Sequence, residues 1–166
     1  MIKWTIKDHL YTKLMGERSF HLFRDRGMWC FIQRSMTFGN LCGYVAVEQS
    51  HPLYGKSHDD MYFQVHGGLT WIKGYVPGIQ DSVLGNLWWF GFDTSHAGDA
   101  RLIDFDFPGR PPLLGSRDTY KDYNYVLTDV YRLADQLADM LPKRHVLIDI
   151  EPFIQRLEKL KETIVL

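Results

Sequence analysis

The sequence predicts an α+β protein: a mostly antiparallel sheet first, with late helices packed on one face. Three observations predict it. Short aromatic and β-branched segments, punctuated by glycine turns, crowd residues 28–99. Apolar residues at three- and four-residue steps run from about Asp118 to Leu141. A second such run begins near Pro152.

Taken in chain order, residues 1–27 mix charge and aromatics, as an edge strand or extended arm would. "MWCFIQR" (28–34) and "LCGYVAVE" (41–48) read as a β-hairpin around the turn signal Gly39-Asn40, and Cys30 and Cys42 would face each other across it. "HPLYGKSHDD" (51–60) is a loop, fixed by Pro52 and bent at Gly55. "MYFQVH" (61–66) alternates as a strand does. Gly67-Gly68 then supplies a two-residue hairpin turn, and "LTWIK" (69–73) returns antiparallel. That pairing puts Tyr62, Gln64, His66, Trp71 and Lys73 on one face and Phe63, Val65 and Ile72 on the core face.

"GYVPGIQDSVLGN" (74–86) is mostly loop. "LWWFGF" (87–92), apolar on both faces, is a central buried strand, and "DTSHAGD" (93–99) leaves it as a polar loop. "FPGRPPLLGSR" (107–117) is irregular and carries Arg110 and Arg117. In the following helix Tyr123, Val126, Val130, Leu133, Leu137 and Leu141 form the apolar stripe. Asp129, Arg132, Asp135 and Asp139 lie largely off it, and Pro142 stops it. "HVLIDI" is a short strand or link. The last helix starts at Pro152 and buries Phe153, Leu157, Leu160 and Ile164.

The 166 residues are expected to form a single domain, with an N-terminal arm over 1–27, a sheet-rich part over 28–99 and a helical part over 118–164. A net charge of -1 gives no field favouring duplex nucleic acid or an anionic membrane, and no segment suits a bilayer span. The two cysteines lack CxxC spacing, which argues against that zinc or redox motif and for reduced thiols in the cytoplasm.

Polar residues concentrate at one predicted edge. With strand 61–66 running up, 69–73 down and 87–92 up, His66 and Asp93 share the top of the sheet, roughly 10 Å apart across two strand spacings. The loop after Asp93 then brings His96 and Asp99 closer. A loop containing His51, Tyr54 and Lys56 starts at the opposite end and must travel to join them. The blander reading is a set of turn residues and hydrogen-bonded histidines.

Taken together, "GYVAVEQSHPLYGK", "VHGGLTW", "WWFGFDTSHAGD" and "YKDYNYV…LADQL" resemble a family of small hypothetical proteins widespread in phage genomes. The likeness covers about residues 28–141. It implies His51, Lys56, His66, Gly67, Gly68, Asp93, His96 and Asp99 as motif positions, and it implies the host cytoplasm. By analogy it suggests an accessory protein that binds or destroys a nucleotide signal of bacterial immunity.

Two functional expectations follow. In the first, the chain binds and sequesters a nucleotide-like phosphorylated molecule. Trp71 would stack on the base, Gly67-Gly68 would approach a phosphate, and His51, Tyr54, Lys56 or Arg110 would supply the wall and charge. In the second, it is a hydrolase acting on a nucleotide or related phosphoester, with catalytic His66, Asp93 and His96, and with Asp99 beside them. The same residues are suitable ligands for a divalent metal cofactor. Neither expectation fixes an oligomeric state. A third option, a protein-contact module built on surface aromatics, needs none of these residues.

Overall fold

The computed structural model describes residues 16–57, 61–79, 84–101 and 118–142. The irregular stretch with Arg110 and Arg117, "HVLIDI", the helix expected from Pro152 and most of the N-terminal arm lie outside the described residues.

Among the described residues five strands form one antiparallel sheet: β1 (Phe20–Asp25), β2 (Met28–Arg34), β3 (Leu41–Val47), β4 (Trp71–Lys73) and β5 (Trp88–Asp93), in the order β1-β2-β3-β5-β4. Among the described residues, the helix α1 (Tyr123–Asp139) packs on it against β2 and β3. The α+β class and the largely antiparallel sheet are therefore as the sequence predicts.

The arm contributes the edge strand β1. It turns into β2 through Arg26 and Gly27, both at positive φ (50° and 78°), the conformation that matches the twist of a tight hairpin. The expected hairpin of β2 and β3 forms, with Arg34 opposite Leu41. β5 is central, between β3 and β4.

Strand alternation separates two apolar layers. Cys30, Ile32, Val45, Val47, Phe90 and Phe92 face α1 and meet Val126, Val130, Leu133, Ala134 and Leu137. Phe31, Cys42, Tyr44, Ala46 and Trp89 form a layer on the other face, with Trp71 packed against it. Gly43 lets the helix approach, because a Cβ there would lie 2.6 Å from Val130 Cγ2. The register also separates the cysteines: Cys30 pairs with Val45 and Cys42 with Gln33, so they occupy opposite faces and both are free thiols. The expectation that they face each other is corrected.

Two further expectations are corrected. Residues 61–66 are not a strand, and no hairpin joins them to 69–73. The turn closes one residue early, with Gly68 N–H donating to Val65 C=O, so His66 becomes a turn residue. The extended backbone is satisfied by α1 instead. Gln64 N–H donates to Gln136 Oε1 (2.8 Å), and His66 N–H donates to Asp129 Oδ2 (2.8 Å). The alternation still orders burial, with Phe63 inside and Tyr62 85% exposed, but it does so along a helix flank. The helix begins at Tyr123 rather than Asp118. Asp122 caps it by accepting from Tyr125 N–H, and residues 118–121 are extended beside residues 98–100. It ends at Asp139, before Leu141.

Burial raises the thiol of Cys30 to about 12 and that of Cys42 to about 11, with the nearby Asp25 and Asp93 carboxylates adding to it, respectively. An unfolded thiol ionises from 9.0 upward, so the unfolded chain releases these protons first and stability falls as pH rises from 9.0 towards 12. Urea midpoints should drop across that window, and alkylation of either thiol should require unfolding. A flat midpoint, or fast alkylation of the folded chain, contradicts this burial.

Candidate functional site

The short loop before β4, the loop after β5 and the start of α1 converge on Asp99. The residue is 7% exposed. Its backbone bridges Thr119 in parallel, through Thr119 N–H to Gly98 C=O and Ala100 N–H to Thr119 C=O. That bridge ties the loop after β5 to the lead-in of α1.

The carboxylate of Asp99 gathers the site. Its Oδ2 accepts from His96 N–H (2.9 Å) and from His66 Nε2–H (2.7 Å). An ionised carboxylate only accepts, so the network places the His66 proton on Nε2. The other ring nitrogen, Nδ1, then accepts from the Tyr125 hydroxyl at 3.0 Å. The result is a Tyr125–His66–Asp99 relay with the imidazole held at both nitrogens. Burial, together with the Asp129 and Asp99 carboxylates, raises the Tyr125 hydroxyl above its usual pKa against the opposing pull of Arg132. Tyr125 therefore stays protonated as a donor.

His96 lies against Gly67. A Cβ at Gly67 would stand 2.3 Å from the imidazole, so this glycine gives the ring its place. The two histidine rings meet edge to face, with centroids 5.3 Å apart. His96 Nδ1 is buried without a hydrogen-bond partner, 3.6 Å from Asp99 Oδ2 and 4.0 Å from Asp93 Oδ1. Asp93 ends β5 and accepts from Ser95 N–H, a short Asx contact that opens the loop. Lys121 Nζ stands 3.8 Å from Asp99 Oδ1 and 5.2 Å over the Tyr125 ring. Arg132 pairs with Asp129, the carboxylate that holds His66 N–H.

The structure thus brings together His66, Gly67, His96 and Asp99, with Gly68 beside them in the turn and Asp93 at the margin. It places the other candidates elsewhere. His51 is buried at the far end of α1: Leu53 N–H donates to its Nδ1, and its Nε2–H donates to Leu137 C=O. Leu137 lies twelve residues, about 18 Å, along the helix from Tyr125. The Lys56 carbonyl accepts from Trp88 Nε1–H, and the Tyr54 ring lies beside Trp88. Trp88 begins β5, so this loop stays at the opposite end of the strand from Asp93. Trp71 turns its ring to the sheet face away from α1 and donates Nε1–H to Tyr75 C=O. The shared face of His66, Gln64 and Trp71 depended on the hairpin and is lost with it.

Tyr125, Lys121, Asp129 and Arg132 were not expected in the site. Their signal was spacing: Tyr125, Asp129, Arg132 and Gln136 fall at four-, three- and four-residue steps, a polar stripe beside the apolar one. The chain matches no protein-family model, no curated protein and no solved structure. The site's own chemistry therefore carries the functional reading.

Two glycine substitutions separate the turn from the site. Gly67 and Gly68 both have positive φ (65° and 81°), but a Cβ at Gly68 meets open space. Gly68→Ala should cost about 1–2 kcal/mol of conformational strain. Gly67→Ala should cost more and displace His96. Thermal unfolding and the His96 imidazole resonances check this, and equal effects from both substitutions contradict it.

Proposed function

We propose that this chain hydrolyses a phosphorylated small molecule, of nucleotide type by the resemblance noted above, at the His66–Asp99 pair. The relay from Asp99 through His66 to Tyr125 carries the reading. A neutral imidazole fixed at Nε2 by a buried carboxylate offers its Nδ1 lone pair as a base. Water reaching that nitrogen, directly or through the Tyr125 hydroxyl, gives up its proton there as its oxygen attacks phosphorus; the P–O bond to the leaving group breaks, and the departing oxygen takes a proton from solvent. Asp99 offsets the charge that develops on the ring. Lys121 and Arg132 supply the cations beside these carboxylates that phosphoryl oxygens require.

Sequestration without turnover is the second reading. It relied on Trp71 for base stacking and on His51 and Lys56 for charge, and none of these lies with His66. What remains is suited to moving protons more than to gripping a base. The observation that favours sequestration is that both nitrogens of His66 are already engaged, as in a rigid recognition site.

Assays against a panel of nucleotides and generic phosphoesters test the reading. His66→Ala and Asp99→Asn should each lower turnover by roughly 10²–10⁴-fold. Trp71→Ala and Lys56→Ala should leave it within a few-fold. Circular dichroism checks that every variant is folded. A nucleotide bound tightly and recovered intact from the wild-type chain supports sequestration; loss of turnover in Trp71→Ala alone contradicts the placement of the site.

A further inference from the structure

We propose that His66 Nε2, His96 Nδ1 and Asp99 Oδ2 form a binding site for one divalent transition-metal ion of the zinc type. The inference rests on the reading that this cluster is the working centre, and it names the cofactor that centre takes.

Four observations carry it. His66, His96 and Asp99 each offer a ligand atom within 4.8 Å of the other two, from two separate loops. Two imidazoles and one carboxylate suit zinc, iron or manganese better than calcium or magnesium, which prefer oxygen alone. Ligand atoms about 2.1 Å from a tetrahedral ion stand about 3.4 Å apart. The observed separations from Asp99 Oδ2, 2.7 Å to His66 and 3.6 Å to His96, each lie within about 1 Å of that spacing. Finally, His96 Nδ1 is buried with no hydrogen-bond partner, although its ring is held in place by the absent side chain of Gly67. A ring nitrogen buried and unpaired beside a carboxylate is an arrangement that a cation completes.

The surrounding groups are those a bound ion needs. With Nε2 given to the ion, the His66 proton moves to Nδ1 and is donated to the Tyr125 hydroxyl, 3.0 Å away. His96 N–H still holds Asp99 Oδ2, and Lys121 stands by Oδ1. Asp93 Oδ1, 4.0 Å from His96 Nδ1, is a further carboxylate at the margin of the site. With the ion bound, His66 Nδ1 would no longer be free to act as the base, and the ion would supply an acidified water in its place.

The test uses the whole chain, stripped with chelator and titrated with Zn²⁺ by calorimetry, then with Co²⁺ by visible absorption. One equivalent should bind, and Co²⁺ should give the visible bands of a low-coordinate nitrogen–oxygen site. His66→Ala and His96→Ala should weaken binding on the order of 100-fold or more, and Tyr125→Phe by about 10-fold. Thermal unfolding of each stripped variant separates lost ligation from lost fold. Because Tyr125→Phe removes a single oxygen, it keeps the test decisive if an alanine variant unfolds. No uptake by the wild-type chain, or equal uptake by His96→Ala, overturns the inference even if turnover persists. Stoichiometric uptake that depends on His66 and His96 supports it even if no phosphoester is hydrolysed, in which case only the proposed activity fails.

Discussion

Everything around the site depends on one buried carboxylate. Asp99 is turned inward at the end of a loop, where a bare negative charge would be costly. Its backbone pairs with Thr119, and its side chain receives His96 N–H and the His66 imidazole. These contacts offset the burial and join segments far apart in sequence: the glycine turn before β4, the loop after β5 and the lead-in to α1. Without Asp99, the His66 imidazole loses the acceptor that fixes its proton on Nε2.

A second network fixes the helix that carries Tyr125. Glu17 accepts from Tyr123 N–H at the first turn of α1, pairs with Arg34 at 2.6 Å and accepts from the Tyr120 hydroxyl. Arg34 also donates to Tyr120 and to Gly39 C=O. A single ion pair therefore links the segment before β1, the β2–β3 hairpin and the start of α1. It sets the height at which the polar flank of α1 meets the 61–68 segment. Such a largely buried pair specifies position more than it adds stability.

Much of this was legible in the chain. Glycine and asparagine punctuation marked the β2–β3 hairpin, and a two-sided apolar run marked β5 as central. Three- and four-residue spacing marked α1 and its core stripe, because each of these signals is local. The convergence of His66 with His96 and Asp99 was reached from a wrong premise. A strand over 61–66 was inferred from its alternation, yet that backbone takes its partners from Gln136 and Asp129. Period-two burial reports an extended chain with one face inside, not which element receives its hydrogen bonds. The clue lay on α1, where Asp129 sits one step round from Leu133 and is only 4% exposed. A carboxylate at the edge of an apolar stripe needs a donor, and His66 N–H is that donor. His51 misled for the opposite reason: an imidazole that ties Leu53 to the end of a helix looks, in sequence, like one that binds a ligand.

The central claim is that Asp99 holds His66 and His96 as one unit, apart from His51. Imidazole ¹⁵N–¹H correlation spectra of the chelator-stripped, metal-free wild-type chain and of Asp99→Asn test it most directly. The account predicts a His66 ring protonated at Nε2, with that proton shifted downfield by its carboxylate partner. The substitution should then move the signals of His66 and His96 together while His51 stays fixed. A His66 ring protonated at Nδ1, or a substitution that disturbs His51 and leaves His96 untouched, would contradict it.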